Sequence, residues 1–201
     1  MRARWHVGMR LRVLASAALT FLGVASVCAA ADPSGLDQVM HLLAMRQHGQ
    51  VEFVEQQFVA ILNHPVESSG ILSYDAPDRL EKRTLKPHEE SLVLAGGVLT
   101  VERGRSRRVL DLHSYPQALP FVESIRATLA GDRAALERVF RLDFTGDLAH
   151  WSLALVPSDP RMAKSVAEVR IEGTQDQLLK VEIRQPDGDH SLMTLRPLAA
   201  P

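Results

Sequence analysis

The feature that most constrains this chain is a two-residue hydrophobic period that recurs through most of its length. Val169 and Ile171 alternate with Glu168, Arg170 and Glu172, Val181 and Ile183 alternate with Lys180, Glu182 and Arg184, and Trp151, Leu153 and Leu155 alternate with Ser152 and Ala154. Successive side chains of a strand point to opposite faces, so each such run presents one apolar and one wet face. Extended runs fall at about 51–62, 66–74, 80–85, 90–95, 98–103 and 107–112, and again at about 141–145, 149–156, 166–172, 177–185 and 190–196. Turn residues bound them, among them Asn63-His64-Pro65, Gly96-Gly97, Gly104-Arg105-Ser106, Gly173-Thr174 and Pro186-Asp187-Gly188-Asp189. This spacing predicts an antiparallel meander of about eleven strands. A meander with one greasy face buries it by curling on itself or by packing helices into the concavity.

Helical spacing interrupts the meander twice. Leu36, Val39, Met40 and Leu43, with Met45 less in phase, predict a first amphipathic helix, with Asp32 or Ser34 as its cap and Gly49 at its end. Residues 116–140 carry Leu119, Val122, Ile125 and Leu129, break at Gly131-Asp132, and resume through Ala135, Leu136, Val139 and Phe140, with Asp132 placed to cap the second piece. The class is therefore α+β, with a helix pair between two strand blocks. The run at 51–62 fits a helix by periodicity alone and is read as a strand. Ile71 to Leu85 reads as a hairpin about Asp75-Ala76-Pro77-Asp78, since proline pre-sets φ for a turn.

The first residues have the order of a secretory signal: Arg2, Arg4, Arg10 and Arg12, an uncharged run from Val13 to Ala30, and the small-residue site Ala29-Ala30-Ala31. A membrane anchor and lipidation at Cys28 compete with that reading. The small-residue end followed by Asp32-Pro33 favours cleavage, and Val27 is bulky where a lipoprotein signal requires a small residue. The expected division is a leader at 1–31 and one domain at 32–201, exported to the periplasm. The chain's only cysteine leaves with the leader, so the domain has to be stabilised by its core. The whole chain balances 23 Lys and Arg against 24 Asp and Glu, and loss of four leader arginines makes the mature part acidic. No basic stripe with interleaved aromatics remains, which argues against nucleic acid as a partner.

Catalytic signatures are missing from the sequence. Glu67-Ser68-Ser69-Gly70 lacks the first glycine of a nucleophile elbow. The histidines His41, His48, His64, His88, His113, His150 and His190 never fall within four residues of one another, so a local zinc pair is absent. His88-Glu89-Glu90 has no second histidine, and Asp187-Gly188-Asp189 lacks the remainder of a calcium loop. A non-enzymatic protein without cofactor or metal is the expectation.

The order of these features resembles the LolA-type outer-membrane lipoprotein carriers. The resemblance rests on the leader, the amphipathic helix, Phe53-x-Glu55-Gln56, Ser69-Gly70-x-Leu72-x-Tyr74-x-x-Pro77, Pro87 with Ser91 to Gly97, the helix pair and the second strand block. It covers the whole mature chain. The stretches "LAGD" at 129–132 and "WSLALVPSD" at 151–159 are similar to a divergent branch associated with export of lipid-like products. The resemblance implies an unclosed β-barrel whose cavity holds acyl chains under a helical lid. It also implies a monomer that moves cargo from an inner-membrane donor to an outer-membrane acceptor. Exposing a ~16-carbon chain to water costs on the order of 12 kcal/mol, at ~0.8 kcal/mol per methylene. Shielding such a chain requires no nucleophile.

Under that resemblance the candidate cavity and lid residues are Phe53, Leu72, Tyr74, Leu80, Leu92, Leu94, Leu99, Val101, Phe121, Ile125, Leu129, Phe140, Trp151, Leu153 and Leu155. Ordinary core packing is the better reading for any one of them taken alone, since sequence does not separate cavity lining from core. The principal carriers have an arginine before the hairpin proline, where Ala76 stands, and aromatics where Leu80 and Lys82 stand. Arg79, Lys82 and Arg83 are substitutes for that arginine or solvated hairpin charges. A non-transporting interaction or sensor module of the same fold is the alternative function.

Overall fold

A computed structural model describes residues 34–114 and 119–198, apart from the side chains of residues 113 and 119–121. The expected leader, its cleavage site and Cys28 lie outside the described residues. Ser34 opens helix α1 (Gly35–Met45), its hydroxyl accepting from the Asp37 amide. Leu36, Val39, Met40 and Leu43 form its buried stripe, as their spacing predicts. The helix ends at Met45 rather than at Gly49. Arg46 is already extended, and Gly49 belongs to β1 (His48–Phe58), where it lies opposite Tyr74 of the next strand. Sheet pairing captures that glycine before a helix can use it.

The strands that follow are β2 (Val66–Asp75), β3 (Arg79–Lys86), β4 (Glu90–Ala95), β5 (Val98–Arg103) and β6 (Ser106–Asp111). Helices α2 (Leu119–Leu129) and α3 (Arg133–Val139) come next, then β7 (Phe140–Asp147), β8 (His150–Pro157), β9 (Glu168–Thr174), β10 (Gln177–Arg184) and β11 (His190–Pro197). Phe140 is expected at the end of the helix pair; it is instead the extended cap of α3 and the first residue of β7, paired with Pro157. Asp132 caps α3, accepting from the Ala135 amide at 2.8 Å.

All eleven strands form one curved, unclosed antiparallel sheet in the order β6-β5-β4-β3-β2-β1-β11-β10-β9-β8-β7. Every neighbour is next in sequence except at the seam, where β1 and β11 pair from Val51↔Pro197 to Phe58↔His190. The two strand blocks thus join through their outermost strands. β6 and β7 are left as edges, and the helix pair connects one to the other.

The packed core lies under the second block. Trp151, Leu153, Leu155, Val169 and Ile171 are buried against α1 and against Ala127, Ala135 and Leu136 of the helix pair. Gly131 makes this packing possible. It has φ +62°, and a Cβ there would lie 2.1 Å from the Met40 carbonyl oxygen, so the α2–α3 corner presses directly on the α1 backbone. Only glycine combines that conformation with that approach. An ion pair from Arg133 to Asp37 at 2.6 Å ties α3 to α1 beside it.

Candidate functional site: an apolar cavity with one buried ion pair

Where the helices do not fill the concave side, a cavity of about 840 Å³ remains. Its wall follows from strand register. Tyr74, Leu80, Leu94 and Leu99 lie opposite one another in turn across β2 to β5, and Val51, Leu72, Lys82 and Leu92 form the adjacent row across β1 to β4. Across the seam, Glu55, Met193 and Val181 continue the wall through β1, β11 and β10. Val122, Ile125 and Leu129 of α2 complete the lining. One end is more polar, with Gln57, Gln185, Asp189 and His190; there the His190 ring stacks on Phe58 with centroids 4.4 Å apart.

Of the residues expected to line a cavity, Leu72, Tyr74, Leu80, Leu92, Leu94, Leu99, Ile125 and Leu129 are on its surface. Trp151, Leu153 and Leu155 are not: each is 0% exposed and sealed in the helix-covered core. Phe53 and Phe140 are also core residues, and Val101 pairs with Leu92 without reaching the lining. The Phe121 side chain lies outside the described residues. For the core residues the physical reason is coverage: all these strands share one greasy face, and the cluster that α1 and α3 cover draws mainly on the second block, with Phe53 of β1 added. Of the two inserted helices, therefore, α2 reaches the cavity and α3 belongs to the core.

The cavity contains an ion pair that alternation alone did not reveal. Glu55, 5% exposed, accepts from Lys82 Nζ and, at 3.3 Å, from the Ser68 hydroxyl. Lys82 is thus not a solvated hairpin charge. Its inward position in β3, in phase with Leu80 and Thr84, was the available signal. Its ammonium also lies 5.0 Å from the centre of the Phe53 ring, a cation–π distance. Gly70 lets the β2 and β3 backbones approach closely beside the pair. It is buried opposite Phe53 at a register shift between β2 and β3, and a Cβ there would meet the Arg83 carbonyl oxygen at 2.0 Å. Arg79, by contrast, is exposed beside Glu81, and Arg83 is exposed.

Tyr74 closes the other end of the leucine row. Burial raises its phenol above the ordinary value, while the charge of Arg126 on α2 opposes the shift. Arg126 is itself raised, chiefly by its hydrogen bonds from guanidinium to Glu123 at 2.7 and 3.1 Å. The charge of Asp78 in the β2–β3 turn also raises it, so α2 and that turn face each other. Among the described residues no cluster of His, Cys, Asp or Glu suits a metal ion.

The family model described as outer membrane lipoprotein carrier protein LolA-like matches residues 28–200. The chain belongs to this LolA-like family. No curated protein sequence matches it. Among solved structures, a LolA superfamily protein from Nitrosomonas europaea is 11% identical with a TM-score of 0.43, over 84% of this chain and 93% of that one. MucB in the MucA/MucB complex of Pseudomonas aeruginosa is 17% identical with a TM-score of 0.47, over 83% of this chain and 58% of that one. The lipoprotein LppX of Mycobacterium tuberculosis is 12% identical with a TM-score of 0.45, over 85% and 98%. In this LolA-like chain the eight cavity residues foreseen from sequence come from the first strand block and α2. Val181 and Ile183 of β10 and Met193 and Leu195 of β11, which sequence reading did not single out as lining, add to the apolar wall.

Proposed function

We propose that the mature chain is a periplasmic carrier that buries the acyl chains of a lipoprotein or other lipid-like cargo and delivers them towards the outer membrane. The observation that supports this is the cavity itself, about 840 Å³ and walled largely by aliphatic side chains. That volume suits a ligand of drug to lipid size, within the ~300–1,000 Å³ of most small-molecule pockets. An acyl chain entering it is shielded without any covalent step. The leader reading of residues 1–31 places the protein in the periplasm, and no helix among the described residues is long and apolar enough to cross a membrane. An inner-membrane donor and an outer-membrane acceptor follow from the carrier role. Since α2 contributes Val122, Ile125 and Leu129 to the lining, it is the element that would move for cargo to enter or leave.

Native mass spectrometry of protein taken from the periplasm, together with titration of a fluorescent acyl probe, tests this reading. A lipid adduct and saturable probe binding are expected. Leu80→Arg should abolish binding while circular dichroism is kept, because a charge in that wall has to be desolvated or draw water in. Failure of both adduct and probe binding would replace the carrier with a non-transporting interaction module.

A further inference from the structure

We propose that the Glu55–Lys82 pair is a head-group site that selects amphiphiles with an uncharged head bearing a hydroxyl or amide, of the acylglycerol kind, and disfavours ionised heads. This rests on the carrier reading and adds the chemical class of the ligand. An entirely apolar cavity would hold a chain without fixing which end goes where. Here a carboxylate and an ammonium sit side by side on the wall, between the leucine rows of β2–β4 and the seam strand β11. Both hydrogen bonds to Glu55 land on Oε2, and among the described residues none reaches Oε1. The Lys82 ammonium has three donors, of which Glu55 takes one. The cavity therefore presents an open acceptor beside open donors, with no net charge.

That combination suits a head group that both donates and accepts. A glycerol hydroxyl or an amide can donate to Glu55 Oε1 and accept from Lys82, regaining the hydrogen bonds it gave up in water. An ionised carboxylate gains no net counter-charge there. It faces Glu55 as well as Lys82, so its desolvation is not offset. To take Lys82 for itself it would have to leave Glu55 unpaired in a wall where that residue is 5% exposed, which is unfavourable again. The same neutral chemistry occurs in a free monoacylglycerol and in the diacylglyceryl, amide-linked end of a lipoprotein.

Competition against a bound fluorescent acyl probe, at mildly alkaline pH, separates these cases. Monooleoylglycerol is expected to displace the probe about tenfold more tightly than oleate of the same chain length. The single variants should move oleate in opposite directions. Glu55→Gln leaves a lone cation and should reverse the preference towards oleate; Lys82→Gln leaves a lone carboxylate and should weaken oleate further. Monooleoylglycerol should change less than oleate in both. A loss of packing would weaken both ligands together, so this opposite response is specific to the head-group role. An N-acylated diacylglyceryl-cysteine peptide amide, run beside monooleoylglycerol, tells whether the head on a protein or the free lipid fits better. Equal affinity of oleate and monooleoylglycerol for the unaltered protein overturns the head-group site and leaves the carrier standing. So does oleate unchanged in both folded variants. No probe binding at all overturns both readings together.

Discussion

Leu153 has no exposed surface and its side chain meets other side chains on all sides, whereas Leu80 is half-buried with its inner surface on the cavity. Truncating the two should therefore separate stability from binding. Leu153→Ala is expected to cost about 2–5 kcal/mol in urea unfolding, with probe affinity per folded molecule unchanged. Leu80→Ala should cost less than half as much and weaken the probe, since its lost methylenes faced the ligand more than the core. In sequence the two leucines were equivalent, each an apolar residue at an inward position of an alternating run. Alternation identifies a face; it carries no information about which helix lies over that face. The same limit hid Glu55, whose inward phase in β1 was visible but whose partner Lys82 stands 27 residues away and two strands over. Only the pairing of β1 with β2 and of β2 with β3 brings them together.

At the level of elements, the strands were legible because hairpin turns punctuate them; the boundaries that moved were the end of the 51–62 run, which stops at Phe58, and those where a helix runs straight into a strand. Met45 to His48 and Val139 to Phe140 are such junctions, and there hydrogen bonding across the sheet decides the outcome. How the helices dock was not legible, because it depends on contacts such as Gly131 against Met40. Gly131→Ala should destabilise the protein by more than ~1 kcal/mol, from the positive φ and the blocked approach together, measured by denaturant titration. The tie between α1 and α3 also has a pH signature. Asp37 titrates below its ordinary value because it accepts from the Ser34 hydroxyl and then from Arg133. A depressed carboxylate adds stability that is present above its unfolded value and is lost as pH falls through its folded value. The melting temperature of the unaltered protein should therefore exceed that of Asp37→Asn by a small, constant amount above about pH 4, and the difference should vanish in stronger acid. A difference that grows in acid would contradict this assignment.

For the whole molecule, the seam between β1 and β11 matters most, because the cavity straddles it: β2 to β4 supply one side, β10 and β11 another, and α2 faces both. A ligand seated there touches the first strand block, the last strand block and the helix pair at once, so its binding is linked to global unfolding rather than to one hairpin. Anything that binds the folded chain alone stabilises it by an amount set by its concentration over Kd, about 2.7 kcal/mol at a hundredfold excess. For a chain of this size each kcal/mol raises the melting temperature by about 2–4 °C, so a saturating acyl ligand should raise it by about 5–11 °C. Leu80→Arg should remove the shift, because it removes the site, while Leu153→Ala should keep the full shift on top of a lower starting temperature. That pattern separates a ligand cavity from a packed core that merely contains a void. A melting temperature indifferent to acyl ligand in the unaltered protein would mean that the cavity is not a binding site, and that the work of this sheet is done on its outer surface.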